Sequence, residues 1–105
     1  MSGDETTKKQ NKYSSFVLMC RDFIKDAERI QSLESLNISI EELVEQIMES
    51  GYDNEDHLKQ LYNLIKKYFS QMMTLYAKYP NDPYIDTMLR RAESLKEYGK
   101  MLIDA

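Results

Sequence analysis

The chain has 105 residues, 30% of them charged and 42% hydrophobic, with a formal net charge of −4, the balance of one globular domain able to bury a modest core. Its longest apolar run, residues 16–20, is far too short to cross a bilayer, and its single cysteine, Cys20, rules out an internal disulfide. These values exclude a multi-domain, membrane-spanning or disulfide-stapled protein and predict an intracellular, cytoplasmic one, a nuclear site being left open.

The opening residues 1–12, MSGDETTKKQNK, mix charges and contain no hydrophobic segment, so they read as a disordered lead and not as a targeting peptide. Residues 13–105 read as a single helical domain. From an N-cap at Ser14 or Ser15, the apolar positions Phe16, Cys20, Phe23, Ala27, Ile30 and Leu33 step by three and four, which predicts an amphipathic helix over residues 15–35. Leu36, Asn37 and Ile38 would break it. Ser39 with Glu42 three positions on forms a capping box for a second, shorter helix carrying Leu43, Val44, Ile47 and Met48, ended by Gly51.

Asp53 or Asn54 is then placed to cap a third helix, the longest, with a stripe of Leu58, Leu61, Ile65, Tyr68, Met72, Leu75 or Tyr76, and Tyr79. The sequence Tyr79-Pro80-Asn81-Asp82-Pro83 stops one helix and starts another. Pro80 forces its predecessor out of helical geometry, Asp82 supplies a cap, and Pro83 fits the first turn, where no backbone donor is required. On the fourth helix Ile85, Met88, Ala92, Leu95, Gly99 and Leu102 share one face. Gly99 therefore points into the core, where the absence of a Cβ would let a large ring approach; Tyr68, Phe69 and Tyr76 are the expected rings, and the alternative is a frayed last turn in which glycine is merely tolerated. With no strand-period segment, the fold class is all-α, a small bundle of three to four helices.

Charge is unevenly placed. Through residue 57 there are six basic and thirteen acidic residues; after it, eight basic and five acidic. The simplest consequence is attraction between neighbouring helices, with surfaces of opposite sign left for partners.

Little here resembles catalytic machinery. The one histidine, His57, follows Asp53, Glu55 and Asp56, whose negative charge suits a helix N-terminus. Successive helical residues diverge, so these four do not converge as metal ligands. No phosphate loop or paired-cysteine motif occurs. The expectation is a protein that is not an enzyme and holds no cofactor or metal. Seven methionines point to irregular core filling or to an adaptable surface for helical peptides, with Met72, Met73 and Met88 the positions to watch.

Two stretches carry a resemblance. LYNLIKKYF, residues 61–69, and RRAESLKEY, residues 90–98, resemble the second and third helices of the MIT domain, a three-helix bundle of vacuolar-sorting ATPases and other trafficking proteins. The matching residues are Leu61, Tyr62, Tyr68 and Phe69, then Arg91, Ala92, Glu93, Leu95, Lys96 and Tyr98. The resemblance covers residues 58–105. It implies a non-catalytic module that takes amphipathic helical tails of the ESCRT-III type into a groove, with Leu89, Glu93, Lys96, Met88 and Tyr62 as contacts. The chain departs from the family pattern at Leu58 and Lys59, in its short Pro80 to Pro83 connection, and at Arg90, where the family carries an acidic residue. It also has one helix more than the family.

Two other readings compete. A nucleic-acid-associated accessory subunit of a replication or transcription complex would use Lys66, Lys67, Arg90 and Arg91 among the tyrosines, although net negative charge works against phosphate binding. A self-assembling structural subunit would complete its core in a homodimer.

Overall fold

The computed structural model describes residues 2–52 and 54–103, with side chains from residue 13 onward. Four helices follow in order: α1 (Ser2–Asp26), α2 (Glu34–Glu49), α3 (Glu55–Lys78) and α4 (Pro83–Ile103). They form a small all-α bundle with no strand among the described residues. Each packs on its chain neighbours, and α4 closes the ring by packing on α1. Residues 2–12, expected as part of a disordered lead, fall within α1, of which the side chains are described from residue 13 onward. Ser14 and Ser15 fall inside α1 and do not cap it.

The clearest departure from expectation is the first corner. The helix expected to run to residue 35 ends at Asp26, and α2 begins at Glu34, so Leu36, Asn37, Ile38 and Ser39 are helical and no capping box forms at Ser39. Between the helices, Ile30 leaves helical geometry and a single 3₁₀ turn, Gln31–Leu33, follows. Ala27, Ile30 and Leu33 keep a three-residue spacing yet are buried as a plug at the end of the bundle. Their amides continue to bond, Ile30 N to Ala27 O at 3.0 Å and Leu33 N to Ile30 O at 3.1 Å. Asn37, on α2, donates its Nδ2 to Ala27 O at 3.3 Å, a second bond to the carbonyl that already accepts from Ile30 N, and so ties α2 to the end of α1.

Gly51 does end α2. Gly51 and Tyr52 both take left-handed backbone, φ 76° and 67°; Tyr52 N bonds Ile47 O at 3.1 Å and Gly51 N bonds Met48 O at 3.4 Å, the paired bonds of a Schellman stop. Asn54 caps α3, its Oδ1 accepting from His57 N at 3.1 Å; Asp53 lies outside the described residues. On α3 the buried stripe is Leu58, Leu61, Tyr62, Ile65, Tyr68 and Met72. Tyr79, expected to extend it, is exposed because it caps the helix ahead of Pro80 with φ −129°.

Asp82 caps α4 as expected: its Oδ1 accepts from Tyr84 N at 2.9 Å and from Ile85 N at 3.3 Å. Replacing Asp82 with alanine should lower stability by about 1 kcal/mol, read as a shift of the urea midpoint at constant slope; an unchanged midpoint would mean the cap contributes nothing. The buried face of α4 is Ile85, Met88, Ala92, Leu95, Gly99 and Leu102, as its spacing predicts. A Cβ at Gly99 would lie 2.9 Å from Phe16 Cζ and 2.9 Å from Tyr62 Cδ1. The rings that meet the glycine are therefore Phe16 of α1 and Tyr62 of α3, and not Tyr68, Phe69 or Tyr76. Cys20 is fully buried among α1 core residues, and burial pushes its thiol well above the ordinary thiol range, leaving an inert side chain.

Candidate functional site: the two flanks of the last helix

The core stripe of α4 divides its remaining surface into a flank facing α1 and a flank facing α3. Their chemistry differs.

On the α1 side runs a cleft of about 390 Å³. Met19, Phe23 and Leu95 form its apolar base, with Thr87 and Ser94 of α4 beside them. Phe23 and Leu95 are almost wholly buried, whereas Met19 is 43% exposed and is the adaptable apolar surface that a visitor would meet. Asp22, Arg90 and Arg91 stand around it. The small side chains at Thr87 and Ser94, two helical turns apart, leave the opening between the helices unfilled.

One end of this cleft is pinned. Arg91 Nη1 lies 2.8 Å from Asp26 Oδ2, and its guanidinium sits 5.5 Å from the Phe23 ring centroid. Tyr84 Oη donates to the Asp26 carbonyl, and Arg29 lies over the Tyr84 ring at 5.0 Å. Two cations thus gather at the C-terminal end of α1, where the helix dipole favours them. Burial raises the Tyr84 phenol pKa, with Asp26 adding to the effect and Arg29 and Arg91 opposing it. The closed corner sets the separation of α1 and α4 farther along.

On the α3 side, Leu89 is half-buried and Glu93 exposed. Lys96 Nζ lies 4.3 Å from the Phe69 ring centroid, and Lys66 Nζ lies 4.6 Å from that of Tyr62. Met73 is 53% exposed between them and the end of α3.

The residues expected to contact a partner are therefore distributed unequally. Leu89, Glu93 and Lys96 share the α3 flank, with Tyr62 buried beneath it against Gly99. Met88 is 1% exposed and packs in the core, out of reach of any visitor; its side chain points inward because it falls on the same stripe as Ile85 and Leu95. Met72 is likewise core.

The four cations of the nucleic-acid reading do not form one patch. Lys66 and Lys67 are successive on α3 and diverge. Arg90 Nε pairs with Asp86 at 3.3 Å, and Arg91 turns to α1.

Sequence reasoning missed Met19, Thr87 and Ser94. Met19 reads as one more member of an apolar run, and only the small pair at 87 and 94 hinted at a gap. At the start of α3, Glu55 and Asp56 are exposed and His57 is half-buried. No group of three His, Cys, Asp or Glu side chains placed to hold a metal occurs among the described residues, and no described helix is long and apolar enough to cross a membrane.

In comparisons with protein families, with characterised proteins and with solved structures, the chain matches none.

Proposed function

We propose that the chain is a non-catalytic protein-interaction module that accepts an amphipathic helical segment of a partner alongside α4. The observation that carries this reading is the α1–α4 cleft: an apolar base, an exposed methionine and small α4 side chains make a trough into which bulky residues at helical spacing fit. The resemblance of residues 61–69 and 90–98 to MIT helices supports the same mode, with ESCRT-III-type tails as one candidate class of partner. An intracellular, cytoplasmic setting accords with it.

A photo-crosslinking residue at Ser94 tests the proposal, with an otherwise identical chain labelled at the exposed Lys67 as control. A protein partner from native extract should crosslink through position 94 and not 67, and Met19→Asp should abolish the product while the far-ultraviolet spectrum stays helical. Equal crosslinking from both positions, or a product indifferent to Met19→Asp, would sink the assignment.

A further inference from the structure

The α3 flank of α4 is a second, separate surface, and its lysines gather at one end. Phe69 and Leu89 are half-buried there and Met73 is 53% exposed, so apolar area faces water along the seam between the two longest-packed helices. At one end stand Lys66, Lys96 and Lys100. The first two rest on ring faces, Lys66 over Tyr62 and Lys96 over Phe69, an arrangement that holds an ammonium in place while leaving N–H donors open to a second partner. Among the described residues neither Lys66 nor Lys100 has a carboxylate within ion-pair distance, and Lys96 has only its chain neighbour Glu97 at 3.8 Å. The opposite end carries Met73, Leu89 and Glu93, with Asp86 one turn before Leu89 held by Arg90 at 3.3 Å.

We infer that this flank docks an acidic amphipathic helix of a partner protein. Charge complementarity selects the sign, and the layout selects the register. Lys66 and Met73 are seven residues apart on α3, so the partner's carboxylates would sit about 10 Å, two turns, from the bulky apolar residues that cover Met73 and Leu89. A second copy of this chain is the poorer fit. Its acidic helix, α2, carries Glu34, Glu41, Glu42, Glu45 and Glu49 at its surface, but its apolar face of Ile40, Val44 and Ile47 is buried in its own core. Nucleic acid fits less well too, because the Tyr62 and Phe69 faces are already covered by lysines and are closed to base stacking. The inference concerns a different face from the α1–α4 cleft, so either assignment can fail without the other.

The test uses the full chain and two synthetic helical peptides of about 18 residues with the same leucine stripe, one flanked by glutamates and one by lysines, in fluorescence anisotropy titrations. The glutamate peptide should bind at least about tenfold tighter than the lysine peptide. Its affinity should fall about tenfold or more in Lys66→Glu/Lys96→Glu and drop again in Met73→Ser, while Lys78→Glu, a charge reversal at an exposed position outside both surfaces, leaves it unchanged. Equal or tighter binding of the lysine peptide, binding of neither, or indifference to the lysine reversals would overturn the inference. So would tighter binding of a single-stranded oligonucleotide lost in the same double variant. Concentration-dependent sedimentation of the chain alone, abolished by Lys66→Glu/Lys96→Glu, would reassign the face to a second copy.

Discussion

Gly99→Val should destabilise the bundle by about 3 kcal/mol, near the upper end of what overpacking a core costs, and Gly99→Ala by about 1–2 kcal/mol. The glycine has no side chain to lose, so the effect comes from atoms added. A Cβ at this position meets Phe16 Cζ and Tyr62 Cδ1 at 2.9 Å each, and Phe16 Cε1 at 3.0 Å. Neither ring can step aside freely: Phe16 is fully buried and packs edge-on against Tyr98 at 6.0 Å, and Tyr62 is 9% exposed under the Lys66 ammonium. Against this, alanine is a better helix former than glycine by about 1 kcal/mol, which would dominate if the site were a frayed turn. The sign of the Gly99→Ala change therefore decides between the two accounts. Denaturant unfolding of Gly99→Ala, Phe16→Leu and the double variant gives the coupling. A coupling of about 1 kcal/mol or more is expected if the phenylalanine ring is what the methyl strikes, and a stabilised Gly99→Ala would refute the close approach.

The second large effect is at Tyr68, which is fully buried and meets Phe23 of α1 edge-to-face, with centroids 5.2 Å apart and planes at 78°. This pair reaches diagonally across the bundle, so it ties the α1–α2 half to the α3–α4 half. Tyr68→Ala should cost about 3–5 kcal/mol through the lost ring and the cavity behind it. Tyr68→Phe should be close to neutral, because Tyr68 Oη is buried without a hydrogen bond of normal geometry, and an unsatisfied hydroxyl costs folding free energy that its deletion recovers. A large loss on Tyr68→Phe would mean instead that Asn37, on α2, which acts on the phenol, supplies a strong bond.

Burial also raises the phenol pKa of Tyr68 above its ordinary 10.0, a neighbouring Tyr84 adding to the effect and Asn37 opposing it. The folded state thus keeps this proton where the unfolded chain releases it. Stability from this source is complete below pH 10 and falls as pH rises beyond it. Cys20 acts in the same sense from its ordinary 9.0 upward. Urea midpoints measured between pH 7 and 11 should be flat at first and then decline, and the decline should shrink in Tyr68→Phe.

Much of this architecture is local information. The cap at Asp82, the proline at position 83, the glycine stop at 51 and the stripes of α3 and α4 depend on contacts within a few residues, so they are readable in order along the chain. The inward orientation of Gly99 is also readable, because a helix face follows from spacing alone. Three things were decided only when the helices met. The first corner contains no glycine or proline, and Ala27, Ile30 and Leu33 have helical spacing whether or not the helix continues. It bends because burying them at the end of the bundle, with Asn37 adding a second bond to Ala27 O, outweighs the local preference of Ala27, Glu28 and Arg29 to stay helical. The partners of Gly99 come from residues 83 and 37 positions away in the chain, and their identity depends on how α1 and α3 are staggered against α4. Finally, periodicity separates the buried from the exposed face of α4 but says nothing of which neighbour stands on each flank. The cleft at Met19 and the lysine-rimmed seam at Lys66 and Lys96 exist because α1 and α3 close on α4 to different extents, a property of packing between helices and of no single segment.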